Sequence, residues 1–309
     1  MERTITIQVE ERDEGKRLDQ FIAAKCPDIS RTYIQKLIKD GVYVSIDGNF
    51  SVKPKESVLY GQNIVVRLPD PKPLDIKPQN IPLDILYEDD DVLVINKPKN
   101  MVVHPAFGHY TDTLVNAVMY HCGDHLSGIN GILRPGIVHR IDKDTTGSLI
   151  VCKNDRAHKC LADQFREHTI TRTYRAIVYN NFSDESGTID MPIGRDPVFR
   201  KKWKVTKEPN GKHAVTHYCV LDHMNRQFNY IECRLETGRT HQIRVHMSHI
   251  GHPLLGDDVY SSAHSRFKQL KGQTLHAYTL GFFHPTTDEY MEFKAPIPDY
   301  FIDLLHKLK

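Results

Sequence analysis

Long apolar runs are missing from this chain. Nowhere in its 309 residues is there a stretch near the ~18 consecutive apolar positions that a membrane-spanning helix needs. The first 17 residues are studded with charge and lack the apolar core of a secretory leader. Cysteine is sparse: the six, at 26, 122, 152, 160, 219 and 233, form no CxxC pair and no metal-like spacing. That argues against a disulfide framework, and scattered free thiols fit a reducing cytoplasm. Tryptophan occurs once. Internal repeats and low-complexity tracts are absent. Neither sign of charge dominates, with 41 Lys and Arg against 39 Asp and Glu. Such a balance neither demands nor excludes a nucleic-acid partner, so local patches must decide.

What is present is a globular composition, 39% hydrophobic and 26% charged, ample to bury a core. The length suggests roughly two domains of about 150 residues. The sharpest compositional shift is LPDPKPLDIKPQNIP at 68–82, with five prolines. Proline removes donors and stiffens the chain, so 69–81 reads as an extended linker between a small unit, 1–68, and a large one, 82–309. In the small unit TITIQVE alternates in period two, and KRLDQFIAAKC places Leu18, Phe21 and Ile22 on one helical face. RTYIQKLIKD forms a second helix, with Ser30 as N-cap and Gly41 as the C′ glycine. VYVSIDGNFSVKP reads as strand, Asp-Gly turn and strand, and NIVVRL as a last strand. In the large unit the expected strands are DVLVINKP, GIVHRID, SLIVCKN, TYRAIVYN, HAVTHYCVL, FNYIECRLE and YMEFKAP. The expected helices are TLVNAVMYHC, AHKCLADQFRE, HQIRVHMSHI and PDYFIDLLHKL. Successive strands without intervening helices argue for an α+β architecture with a mixed, largely antiparallel sheet.

Four constellations carry chemistry. In GIVHRIDKDTTGS, at 136–148, charge interrupts a buried-looking segment just before a turn. An extended VHRID puts Arg140 and Asp142 on one face, roughly 7 Å apart; a surface salt bridge at a strand end is the plainer reading. In LETGRTHQIRVHMSHIGHPLLGD, at 235–257, a helix is expected to begin near Thr240. Arg239 then sits at a helix N-terminus, where a cation opposes the macrodipole and calls for a nearby anion, unless it points into water. The histidines there, 241, 246, 249 and 252, do not match the HExxH spacing of a zinc helix. Tyr174 lies mid-strand in TRTYRAIVYN, where a core role is the simple alternative. Residues 194–212 hold seven Lys or Arg around Trp203; Arg195, Arg200, Lys201, Lys202, Trp203 and Lys204 suit a phosphate backbone and an exposed base, or form a solvated hairpin. Arg17, Arg31, Lys36 and Lys39 line one side of the two small-unit helices.

Taken together and in order, GIVHRIDKDTTGSLIVCKN, TYRAIVYN and RLETGRTHQIRVHMSHIGHPLLGD resemble the RluA/RluD-type family of RNA pseudouridine synthases. VINKPKNMVVHP, PIGRDP, KHAVTHYCVL and LHAYTLGFFHP fit as well, so the resemblance covers nearly all of 82–309. Thr-Thr-Gly stands where the family often has Thr-Ser-Gly. RLDQFI, ISRTYIQKLIKDGVYV and DG resemble the αL (ribosomal-protein-S-four-like) RNA-binding module. The resemblance implies an isomerase that breaks the uridine N1–C1′ bond, turns the uracil over and rejoins it through C5, with no cofactor, metal or second substrate. It implies Asp142 as nucleophile, Arg239 as its arginine partner, Tyr174 packed on the uracil and assisting proton transfer, and Arg140 inserted where the base leaves the stack. Arg244 is left as a structural or phosphate contact. The expected partner is RNA, large-subunit ribosomal RNA in first place, for a cytoplasmic monomer with no membrane and no obligate protein partner. The rival readings are a non-catalytic RNA-binding ribosome-assembly factor, a metal-dependent nuclease using DKD (Asp142, Asp144) or EDDD (88–91), and a glycosidase using the Asp142–Asp144 pair.

Overall fold

The computed structural model describes all of the chain except residues 1–2, 28, 30, 69–75, 106–109, 124, 130–134, 200–201, 208, 262–266 and 268. Ser30, Arg200, Lys201 and the first part of the expected linker therefore lie outside the described residues. The chain divides into two compact units, Met1–Leu74 and Asp75–Lys309.

The small unit contains β1 (Arg3–Gln8), α1 (Leu18–Lys25), α2 (Arg31–Lys39), β2 (Val44–Ile46) and β3 (Asn63–Leu68). The sheet is antiparallel in the order β1-β3-β2. Leu18, Phe21 and Ile22 of α1 pack on Ile34, Leu37 and Ile38 of α2 and on Val44, Ile64 and Val66 of the sheet. Gly41 follows α2 with φ 70, the left-handed conformation that ends helices. The segment after the Asp47-Gly48 turn is not the expected strand. Its carbonyls serve α1 instead: Leu18 N–H donates to Glu56 O and Asp19 N–H to Pro54 O, two of the donors that a helix N-terminus leaves open.

The large unit is built on one mixed sheet. Its strands are β4 (Ile85–Glu88), β5 (Val92–Lys97), β6 (Thr146–Cys152), β7 (Thr171–Tyr179), β8 (Ser186–Asp190), β11 (Val215–Met224), β12 (Phe228–Leu235), β13 (Leu275–Phe283) and β14 (Tyr290–Lys294). A separate ribbon pairs β9 (Ile193–Arg195) with β10 (Trp203–Val205). The helices are α3 (Leu114–Cys122), α4 (Asp155–Arg166), α5 (Gln242–His249) and α6 (Asp299–Lys307). The sheet order is β4-β5-β6-β13-β7-β12-β11-β8, with β14 also on β13, and only β6–β13 is parallel. Both faces of the central strands are buried. Leu93, Leu149, Ala176 and Ile231 meet α3 and α5 in one core cluster. In others Val92, Val94 and Ile150 meet α4, and Ile177 and Phe228 meet α6. Residues 76–81 belong to this unit and are no free linker. Ile76 is in its core, Gln79 N–H donates to Asn116 O, and Asn116 Nδ2 donates to Lys77 O.

Two differences from the expected elements bear on the site. Residues 138–142 are irregular, and only Ile137 makes a β-bridge, to Val151. The reason is a side chain in the place of a strand: His139 Nε2 accepts the Ile150 N–H of β6 at 3.0 Å. The expectations left out β4, β8, β9, β10 and β13; of these it is the central β13, buried on both faces and without alternation to read, that bears on the site. It approaches β6 closely enough that a Cβ at Gly147 would collide with the Ala277 carbonyl. Gly147 has φ 108, so the Thr-Thr-Gly turn ends on the one residue type this approach admits.

Candidate active site

The loop ahead of β6 carries Asp142, and it is tied down from beneath. Lys97, fully buried at the end of β5, donates to Pro98 O at 2.8 Å, Met101 O at 2.9 Å and Lys143 O at 3.0 Å. Burial pushes its pKa down to about 7 against the pull of the Asp144 and Asp142 carboxylates. Three carbonyls match the three N–H groups of an ammonium, and one of them belongs to the residue after Asp142.

Asp142 Oδ2 accepts a hydrogen bond from Arg244 Nη1 at 2.9 Å. Arg244 lies on the first turn of α5 and is buried; its Nε and Nη2 fork onto Asp257 Oδ2 and Oδ1 at 2.7 and 3.0 Å. Asp257 is itself fully buried and also accepts the Val259 and Tyr260 N–H groups. Burial disfavours the guanidinium charge, but the Asp257 and Asp142 carboxylates outweigh it and hold the Arg244 pKa above its ordinary value. One arginine thus grips a structural carboxylate with two bonds and presents its remaining N–H to Asp142. Asp142 Oδ1 has no hydrogen-bond partner among the described residues.

The expected pairing of Arg239 with Asp142 is therefore corrected: the partner is Arg244. α5 begins at Gln242, two residues later than expected, and His241 before it adopts the left-handed conformation, φ 57 and ψ 23. Arg239 lies outside the helix, with its Nε donating to His213 O at 2.8 Å. Residues 242–247 are all buried, so the charge of Arg244 needs a carboxylate, which Asp257 at the end of the same motif supplies; the sequence alone did not show that burial.

Around Asp142 a cavity of about 60 Å³ is lined by Arg140, Thr145, Tyr174, Arg239, His241 and Arg244 among others. It adjoins a larger one of about 540 Å³, where Arg140, Arg166, Arg172 and Arg239 meet Asp142 as the only carboxylate among the described residues. Tyr174 belongs to the core cluster and also lines both cavities. Burial, offset by Arg172 and reinforced by Asp142, raises its pKa, so the phenol stays protonated. Arg140 is exposed, with Nη1 3.3 Å from His104 Nε2, and makes no ion pair with Asp142. His139, stacked on Phe165 and accepting from Ile150, is held neutral; burial and then Arg172 push its pKa down to about 3.

His241, Tyr260 and Arg172 were also missed. His241 Nδ1 lies 2.8 Å from Tyr260 Oη, which accepts the Trp203 N–H at 2.9 Å. Its Nε2 lies 3.9 Å from Asp142 Oδ2. The only advance signal at 241 is that His is among the residues enriched in the left-handed region.

The remaining expected contacts divide. Arg17 and Arg31 both bind the buried Asp19, whose own burial opposes ionisation. Hydrogen bonds from Arg17, Gln35 and Arg31 outweigh that and bring its pKa to about 2. Lys36 and Lys39 are exposed. Arg195 stacks over Trp203 at 5.4 Å, Lys202 over Phe199 at 5.7 Å, and Lys204 is exposed. Three of the four acids in EDDD are engaged by protein donors. Glu88 binds His121 and Lys153, Asp89 binds Tyr87 and His284, and Asp91 binds Asn154 and Thr286. Asp144 lines neither cavity of Asp142, which leaves the carboxylate-pair reading without its second group.

The pattern of the RNA pseudouridylate synthases matches residues 91–249, a span that contains Asp142, Tyr174 and Arg244. The RNA pseudouridine synthase YlyB of Bacillus subtilis is 50% identical over 305 residues, covering 99% of this chain and 98% of that one. The ribosomal large subunit pseudouridine synthase D of Zymomonas mobilis is 47% identical, covering 92% and 91%. The solved structure of human RNA pseudouridylate synthase domain containing 1 superposes with a TM-score of 0.57 at 26% identity, over 74% of this chain and 86% of that one. A buried arginine that grips one carboxylate and aims at another is thus found within a matched catalytic pattern, and the chain belongs to the RNA pseudouridylate synthase family as a pseudouridine synthase.

Proposed function

We propose that this enzyme isomerises uridine in large-subunit ribosomal RNA, with Asp142 as the nucleophile. The observation that carries the reading is the Asp142–Arg244–Asp257 arrangement at the edge of the cationic cavity. Arg244 fixes Oδ2 and leaves Oδ1 without a partner, so the free oxygen is the one available to the nucleoside. The target uracil is stacked in RNA and must leave the stack, at a cost of a few kcal/mol. Arg140, exposed beside the cavity, fills the gap it leaves. Tyr174 packs on the detached uracil. As a protonated phenol it is a donor; its task is to relay the proton as C5 loses its hydrogen and N1 gains one. The relatives named for the large ribosomal subunit support the substrate class, and the exposed Lys36 and Lys39 of the small unit support an RNA-binding role for residues 1–68.

Mapping pseudouridines across all RNAs of a strain lacking this chain tests the proposal. One or more ribosomal sites are expected to disappear, to return with the wild-type chain, and to stay absent with Asp142→Asn, which keeps the volume but has no carboxylate. Loss confined to transfer RNA would remove the ribosomal assignment; restoration by Asp142→Asn would remove the nucleophile.

A further inference from the structure

A third cavity, about 260 Å³, lies beside the two that hold Asp142. Arg195, Trp203, Lys212 and Arg239 line it, and among the described residues no Asp or Glu does. Three cations without a carboxylate ask for an anion. The aromatic wall is the chain's only tryptophan, and it is built, not incidental. Trp203 and Arg195 are directly opposed in the β9–β10 register, so the ribbon itself sets the guanidinium over the indole. The indole packs against the small cluster of Ile193, Ala214 and Val245, and its backbone N–H is held by Tyr260 Oη. Arg239 borders this cavity and both catalytic ones. Only its Nε is engaged, by His213 O; the two Nη groups have no hydrogen-bond partner among the described residues.

We propose that this cavity is a second nucleotide subsite, which takes the nucleotide adjoining the target uridine in the same RNA strand. Its base lies against the Trp203–Arg195 pair, since bases stack both on aromatic rings and on guanidinium planes. The phosphate between the two nucleotides sits on Arg239, at the ridge between the cavities, with Lys212 on the far side. This gives a function to Arg239, which borders the Asp142 cavities but bonds to His213 O and not to Asp142. The subsite rests on the proposed RNA reaction.

The single tryptophan makes the test direct. Full-length Asp142→Asn protein is titrated with a short RNA that the wild-type chain converts, and tryptophan emission is followed. Emission is expected to change on binding, and the change to vanish when one specific neighbour of the target is made abasic. Stacking of one base is worth about 1–3 kcal/mol, so the abasic RNA should bind about 5- to 150-fold more weakly. Trp203→Ala should bind intact RNA with the same deficit and lose nothing further to the abasic site, whereas Trp203→Phe, which keeps a π face, should recover most of the affinity. Unchanged emission at saturating RNA, or an abasic penalty undiminished in folded Trp203→Ala protein, would overturn the subsite while leaving the isomerase reading intact. Failure of the wild-type chain to convert any uridine would overturn both.

Discussion

Arg244 and Arg239 stand five positions apart in one motif, and the structure separates their tasks. Arg244 uses three N–H groups on two carboxylates, a geometry that lysine cannot reproduce. Arg244→Lys is therefore expected to lower the single-turnover rate roughly 10²- to 10³-fold, the usual scale for losing a preorganised donor. Asp257→Asn should unfold more easily, by roughly 3–5 kcal/mol, because it breaks a buried pair. Arg239→Ala should weaken RNA binding and leave the rate at saturating RNA within a few-fold. Rapid-quench kinetics separate the two arginines, and equal rate losses for both would refute the division. Asp142 was legible as a candidate because it lies in a dense, specific run of residues. Its partner was not, because choosing between the two arginines depends on where α5 starts. That is set by the left-handed backbone of His241, which a histidine permits but does not announce.

Covered strands were legible where they form a plain apolar run, as in β5 and β6, and not where small and polar residues break the run, as in β13. β13 is also bulged between Ala277 and Thr279. The reverse error occurred at 136–142, where apolar residues imitate a strand while His139 makes the contact to β6. A second histidine fastens the sheet at the parallel junction. His276 is fully buried; its Nδ1 accepts from Thr146 Oγ1 at 2.8 Å, and its Nε2 donates to Ala295 O at 3.2 Å. Both contacts suit the neutral ring, and burial pushes its pKa down to about 4, the Ala295 carbonyl pulling the other way. The unfolded chain takes up this proton below about 6.5 and the folded one only near 4. The stabilisation is thus complete above pH 6.5 and is lost as pH falls toward 4, up to roughly 3 kcal/mol from this residue. Urea unfolding at pH 7.5, 5.5 and 4.5 should show that decline. His276→Gln, which offers one acceptor and one donor in place of the ring nitrogens, should flatten it by up to one proton. An unchanged slope in the variant would mean that His276 is not the group responsible.

Across the whole molecule, composition located the junction between the units and misjudged where the second begins. Proline density marks 69–81, but Ile76 is buried in the large unit's core, and the backbones at 77 and 79 bond to α3. Each unit has its own hydrophobic cluster and its own sheet, so residues 75–309 are expected to fold alone. Starting at 82 instead removes Ile76, whose burial is worth about 1.5–3 kcal/mol, together with two hydrogen bonds that satisfy Asn116. The shorter fragment should melt several degrees below the longer one. The longer fragment retains Asp142, Tyr174, Arg244 and the cationic cavities, so it should convert a short RNA at nearly the full single-turnover rate once saturated. Its affinity should fall, and by a mechanism that salt reveals. Each phosphate contact contributes about −0.7 to −0.9 to the slope of log K against log salt. If Lys36 and Lys39 each meet one phosphate, removing the small unit should flatten that slope by about 1.4–1.8. The double substitution Lys36→Ala, Lys39→Ala in the full chain should reproduce most of the flattening, because Arg17 and Arg31 are already bound to Asp19. A fragment that binds with undiminished affinity and slope would deny the small unit an RNA-binding role. A flattened slope that the double substitution leaves unaltered would put the contacts on other residues of that unit.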